Sequence, residues 1–334
     1  MLELPLLLVV IVVVALVFDF TNGAHDSANA VATIISTRVV SPRLAVTCAA
    51  LLNLAGALLG TEVARTLGGG LVLPEVVEHS QLLVLAALAA AIFWNCLTWY
   101  FGIPSSSSHA LIGGLIGAAI AEAGTQSLNL QGILQKVLLP LVGAPLLGFL
   151  AGFLMMWATY WVFARKRRQR VNALYRKLQC CSAAFMATSH GLNDAQKTMG
   201  IVTLALFTFG KIPAIDVPLW VKLACATAMA LGTALGGWKI IKTMGSRIFR
   251  LEPVHGFTAE CSATMVITLS SYLGAPISTT QTISSAIFGV GSTRRLSAVR
   301  WGLAGNLVTA WLLTLPCAGS VGFLSLKFLK LLNP

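Results

Sequence analysis

The sequence predicts an all-α polytopic membrane protein. Three observations carry this: 57% of residues are hydrophobic against 10% charged, the mean hydropathy is +0.83, and the apolar residues fall in solid runs. A soluble domain needs more polar surface than this, and a membrane barrel would show short stretches of alternating polarity.

The apolar runs lie near Leu4–Phe18, Leu44–Gly60, Leu82–Tyr100, Leu111–Ala121, Val137–Phe163, Ile201–Phe209, Leu219–Leu235, Ala263–Leu273, Ile283–Val290 and Leu303–Phe323. The first begins a membrane crossing rather than a cleaved leader, because no basic residue precedes it and no clean small-residue cleavage site follows. Orientation follows from where the cations cluster. Arg165, Lys166, Arg167, Arg168, Arg170, Arg176 and Lys177 fill the central loop. Further groups are Lys239, Lys242, Arg247 and Arg250; Arg294, Arg295 and Arg300; and Arg38 with Arg43. The positive-inside rule puts all four on the cytoplasmic side, and the acidic loop with Glu75 and Glu78 outside. The net charge of +12 is thus a topological signal, with no nucleic-acid partner implied.

Starting outside, the chain is expected to cross inward over 4–37, out over 44–62, in over 81–101, out over 104–123 and in over 137–163. From Leu178 it goes out to 210, in over 219–236, out over 258–273, in over 276–291 and out over 301–323, leaving both termini outside. About five crossings per half turn the second half upside down relative to the first. Two inverted-topology repeats result, residues 1–164 and 178–334, joined by the basic loop 165–177.

Seven cysteines, without a paired spacing apart from the adjacent Cys180 and Cys181, argue against a disulfide framework, and most of them read as small core residues. The glycine pairs and triplets, such as Gly113, Gly114 and Gly117, read as close helix packing. A nucleotide-binding loop of the form Gly-x4-Gly-Lys-Ser/Thr is missing, so no cofactor is expected.

Two polar motifs recur, once in each half. FTNGAHDSANAVATI (Phe20–Ile34) is echoed by MATSHGLNDAQKTMG (Met186–Gly200), which matches Gly23, His25, Asp26 and Asn29 with Gly191, Asn193, Asp194 and Lys197. Ionisable groups at membrane depth are costly, so they mark a pathway or binding site. Asp26 and Asp194 supply negative charge for a coupling proton or sodium ion, and sodium would fall on Asp26, Asn29 and Asp194. Asn22 and Asn193 offer neutral donors and acceptors to the substrate. Gly23 and Gly191 would let their helices unwind there. Lys197, placed opposite Asn29 and paired with Asp26 or Asp194, would either replace one cation site by an ammonium and favour protons or form a structural salt bridge. His25, His109 and His190 lie in the same motifs and are candidates for a proton relay or for donors to an anion. Glu260, near the start of a crossing, either joins the coupling site or caps a helix.

The second pair is GIPSSSSHALIGG (Gly102–Gly114) and GAPISTTQTISSA (Gly274–Ala286). Proline ends a helix, so each segment restarts as a half-helix whose first turn is Ser106, Ser107 and Ser108, or Ser278, Thr279 and Thr280 followed by Gln281. Hydroxyls, free amides and the positive end of the helix dipole converge there, which suits a tetrahedral oxyanion. A site of mainly neutral donors also releases its anion readily.

On these four segments, in order and spread over nearly the whole chain, the sequence resembles the PiT inorganic phosphate transporter family, specifically its bacterial low-affinity branch. The resemblance implies two inverted repeats, a central oxyanion site at their interface, frequent homodimerisation, and phosphate symport with protons or sodium across the cell's inner (plasma) membrane. The family's duplicated Asn/Asp motif falls on His25, Asp26 and Asn29 and on Asn193, Asp194 and Lys197. His25 and Lys197 depart from the family's Asn, which bears against a sodium site. Since the family includes sulfate carriers, a sulfate permease is the first alternative. An anion channel is a second, and a membrane enzyme lacks a nucleophile or metal constellation to support it.

Overall fold

The computed structural model describes residues 4–69, 71–72, 76 and 80–332; Glu75 and Glu78 lie outside them. Apolar side chains in long uninterrupted runs leave the backbone no water to bond to, so each run closes its own hydrogen bonds as a helix. The helices are α1 (Leu4–Ser36), α2 (Pro42–Ala57), α3 (Glu62–Gly69), α4 (Leu82–Phe101) and α5 (Ser107–Ala123). α6 (Leu130–Phe163) follows, then α7 (Arg168–Thr208), α8 (Leu219–Leu235) and α9 (Trp238–Arg247). α10 (Pro253–Tyr272), α11 (Thr279–Arg294) and α12 (Trp301–Leu332) complete the chain. Among the described residues the extended structure is one isolated bridge, Val72 to Leu128.

Helix ends follow local chemistry. Ser41 accepts the Leu44 amide ahead of Pro42 to start α2. Glu252 and His255 form a reciprocal capping box at α10. Partial burial works against ionisation of Glu252, but hydrogen bonds from Arg168 and Asn172 outweigh it and hold the carboxyl below its ordinary value. α4 stops at Gly102, whose φ of 68° only glycine adopts freely. Gly236, at φ 78°, divides α8 from α9 at a bend of 62°.

Packing pairs the two halves reciprocally. α1 lies on α8 and α2 on α7; α6 lies on α11 and α12 on α5. Glycines set how close these contacts come. A Cβ on Gly23 would sit 2.2 Å from the Met229 carbonyl oxygen, and one on Gly191 would sit 2.1 Å from that of Asn53. The short helices are tethered by the long polar ones: Gln196 Oε1 accepts the Val63 amide at the start of α3 (2.8 Å), and Ser27 Oγ accepts the Gly237 amide before α9 (2.6 Å).

The expected unwinding at Gly23 and Gly191 does not occur. Both α1 and α7 run unbroken through these glycines, because their missing Cβ is used for interhelical contact instead of for a turn. The chain leaves helix instead at, among other places, 102–106, 236–237 and 273–278.

By length and composition, four helices can cross a membrane: Pro5–Ser36, Leu82–Phe101, Leu130–Phe163 and Trp301–Leu332, with the bent pair α8–α9 as a fifth candidate. α6 and α12 carry the outward apolar surface, with Leu146, Leu150, Trp161, Leu312, Leu324 and Phe328 all exposed. Such a surface is stable against hydrocarbon.

Candidate functional site

The two Pro-interrupted segments bring their helix starts together. Ser106 caps α5 by accepting the His109 amide at 3.2 Å, and Ser278 caps α11 by accepting the Gln281 amide at 3.3 Å. This leaves the earlier amides of each first turn without an intrahelical acceptor. The tips touch: Ser108 Oγ donates to the Ile277 carbonyl at 3.4 Å, and Gln281 Nε2 lies 3.4 Å from His109 Nδ1. Two positive dipole ends therefore point at one place. Ser107 Oγ, His109 Nε2 and Gln281 Oε1 are buried there without a partner among the described residues.

Under the tips lie the carboxylates. Ligand atoms of Asp26, His190 and Asp194 all fall within 4.8 Å of one another, and all three residues are buried. Two like charges at that separation repel by roughly 3 kcal/mol at an effective dielectric constant of about 20, so the site needs a counter-charge. Lys197 provides it. Its Nζ is 2.5 Å from Asp194 Oδ1, 2.5 Å from Ser108 Oγ and 3.0 Å from the Ile277 carbonyl. Of the two expected partners the structure selects Asp194, one turn back on the same helix. His190 Nε2 stands 3.2 Å from the other Asp194 oxygen.

Asn29 does the matching work without charge. Its Nδ2 donates to Thr279 Oγ1 (3.1 Å) and Thr280 Oγ1 (2.9 Å). Those hydroxyls donate in turn to Asp194 Oδ2 (2.9 Å) and Asp26 Oδ1 (3.3 Å). Thr279 and Thr280 thus spend their protons on carboxylates, whereas Ser107 Oγ has no partner among the described residues. His25 Nδ1 is 2.5 Å from Asp26 Oδ1, while its Nε2 reaches Thr98 Oγ1 at 3.1 Å. A metal ion at Asp26, His190 and Asp194 would compete with an ammonium already bonded to Asp194, so a dication fits this set poorly.

Three expected residues stand apart. Asn193 Nδ2 donates to Ser271 Oγ at 2.8 Å, leaving its Oδ1 without a partner. Asn22 Oδ1 is also buried and unpartnered. Glu260 belongs to a separate cluster, accepting from Thr33 (2.6 Å), Gln179 (2.9 Å) and Ser182. Thr33 lies seven residues beyond Asp26, about 10 Å along α1. Sequence reasoning passed over Gln179, Ser182, Thr98 and Asp19. The last sits seven residues before Asp26 on the same helix face, a spacing that could have exposed it.

Comparison with known proteins accords with this geometry. Residues 22–322 match the family described as "Phosphate transporter family". A Rhizobium meliloti protein, described as a probable low-affinity inorganic phosphate transporter, is 49% identical over 95% of this chain and 95% of its own. A Bacillus subtilis protein with the same description is 44% identical over 98% of this chain and 99% of its own. A solved structure titled "The sodium-dependent phosphate transporter" superposes with a TM-score of 0.86 at 26% identity, covering 97% of this chain and 99% of that one. A chain matched this far along its length, with hydroxyl-rich helix starts meeting over buried carboxylates, belongs to the phosphate transporter family and is a transporter, not an enzyme.

Proposed function

We propose that the protein is a secondary active symporter that binds inorganic phosphate between the starts of α5 and α11 and couples its movement to a cation at the Asp26–Asp194 pair. One observation carries the reading: the two helix tips meet at Ser108 and Ile277 with Lys197 bonded to both of those residues and to Asp194. Anion donors and cation-seeking carboxylates then share an ammonium, so occupancy of one is felt by the other. The reciprocal packing of α1 on α8, α2 on α7, α6 on α11 and α12 on α5 supports two inverted repeats of about five crossings each, 1–164 and 178–334. Rocking of one repeat on the other would open each side in turn. Both termini outside, the plasma membrane as location and a homodimer as assembly belong to the same reading.

The solved relative's title speaks of sodium dependence for that protein; here the ammonium at Lys197 and the imidazole at His25 favour protons. Radiolabelled phosphate and sulfate uptake into proteoliposomes, with proton and sodium gradients imposed separately, tests the reading. Phosphate uptake accelerated at least tenfold by one inward cation gradient is expected. Preference for sulfate would assign a sulfate permease. Uptake indifferent to both gradients would assign an anion channel and defeat the symporter.

A further inference from the structure

Asp19 takes no part in the site above and yet is sealed inside the protein. It is fully buried, and neither carboxylate oxygen has a hydrogen-bond partner among the described residues. It stands where α1, α7 and α8 converge. From α7 it faces Thr198, Asp194 and Lys197, and from α8 the thiol of Cys225. Thr198 Oγ1 is equally buried and unpartnered. The backbones of α1 and α8 touch along these turns: a Cβ on Gly232 would lie 2.0 Å from the Phe20 carbonyl oxygen.

A bare carboxylate charge in such a place costs several kcal/mol. Lys197 cannot neutralise it, because its ammonium is already bonded to Asp194, Ser108 and the Ile277 carbonyl. A hard metal cation would want a shell of oxygen ligands, and one hydroxyl beside one thiol does not make a shell. A proton needs only the carboxylate itself.

Asp19 also begins a buried polar stripe. Asp19, Asn22, Asp26, Asn29 and Thr33 follow one another along α1 at steps of three or four residues, all on one face, and all are buried, with buried Thr37 just past the helix end. At 1.5 Å per residue the stretch from Asp19 to Thr33 is about 21 Å long, some two thirds of the roughly 30 Å of a bilayer's hydrocarbon core. Near its far end Thr33 donates to Glu260.

We propose that Asp19 is a proton-binding station of the transport cycle, loaded when α8 parts from α1 on one side and emptied along the α1 stripe when the protein opens to the other. One proton joins an Asp19 oxygen from water on the first side and leaves to water on the second; no other bond changes. This rests on the symporter reading and narrows its coupling ion to the proton.

The test is Asp19→Asn in proteoliposomes holding a trapped pH-sensitive dye. An inward proton gradient should no longer drive phosphate uptake, a loss of at least tenfold, and phosphate-linked proton entry should vanish. Phosphate-for-phosphate exchange at equal pH should remain measurable, and Asp19→Glu should restore gradient-driven uptake. Wild-type gradient-driven uptake in Asp19→Asn overturns the proposal, as does wild-type uptake driven by sodium without proton entry. If Asp19→Asn does not fold, infrared spectra of wild type and Asp19→Glu decide: a protonated-carboxyl band that moves with the substitution supports the proposal, and an unmoved spectrum overturns it. Wild-type protein inert to phosphate under every gradient would be a different failure, that of the symporter reading itself.

Discussion

Asn29 and Lys197 occupy matched turns of the two motif helices, and each reaches the tip of a Ser/Thr-rich half-helix contributed by the other half. Asn29 does so with an amide that bridges two threonine hydroxyls. Lys197 does so with an ammonium that also neutralises Asp194. The two motif helices thus carry an unequal charge: the Asp194 side holds its own cation, and the Asp26 side has the imidazole of His25. The difference teaches that similar packing can support different ion chemistry at equivalent positions.

The largest effect expected from removing that inequality is on folding. Lys197→Met leaves Asp194 uncompensated beside Asp26, and breaking a buried pair from one side costs about 3–5 kcal/mol. The variant's Tm in detergent should fall sharply, and Lys197→Met with Asp194→Asn should recover most of the loss without recovering transport. A single variant as stable as wild type would show that Lys197 is not the counter-charge.

The two aspartates should then differ from each other. Asp194→Asn strands the ammonium and should destabilise by a few kcal/mol, whereas Asp26→Asn relieves a repulsion of about 3 kcal/mol and should melt near or above wild type. Both should abolish gradient-driven phosphate uptake. Equal melting of the two variants would remove the asymmetry.

At the start of α7, far along the helix from this inequality, little should change. Arg168→Ala removes an ion pair with Glu252 whose arginine is largely exposed, a contact worth about 0–1 kcal/mol. Because the Glu252 carboxyl is held low in the folded protein, the pair stabilises above the unfolded carboxyl's titration. Its contribution is lost as pH falls through the folded value, so variant and wild type should converge in Tm in acid. A drop as large as that of Lys197→Met would mean that the loop contact helps hold the fold.

The sequence made much of this visible, for identifiable reasons. Helix type follows from unbroken apolar runs, and the breaks after Gly102 and Gly274 follow from proline, serine caps and glycine's positive φ. The duplicated motifs were legible because ionisable groups are rare inside apolar segments. What escaped depended on neighbours. Gly23 and Gly191 look like hinges along the chain, and only the Met229 and Asn53 carbonyls show that they are contact points. Thr279 and Thr280 read as anion donors until Asp194 and Asp26 are seen accepting from them. Glu260 lay open between two roles, and its partners Thr33, Gln179 and Ser182 come from two distant helices.

Isothermal titration of phosphate into purified wild-type and Ser107→Ala protein bears most directly on where the anion sits. Ser107 carries a buried hydroxyl at the tips with no partner among the described residues, and a hydrogen bond to a charged group is worth about 1.5–3 kcal/mol. Phosphate between the α5 and α11 tips requires the Kd to weaken by roughly tenfold or more with the fold intact, and an unchanged isotherm would contradict it.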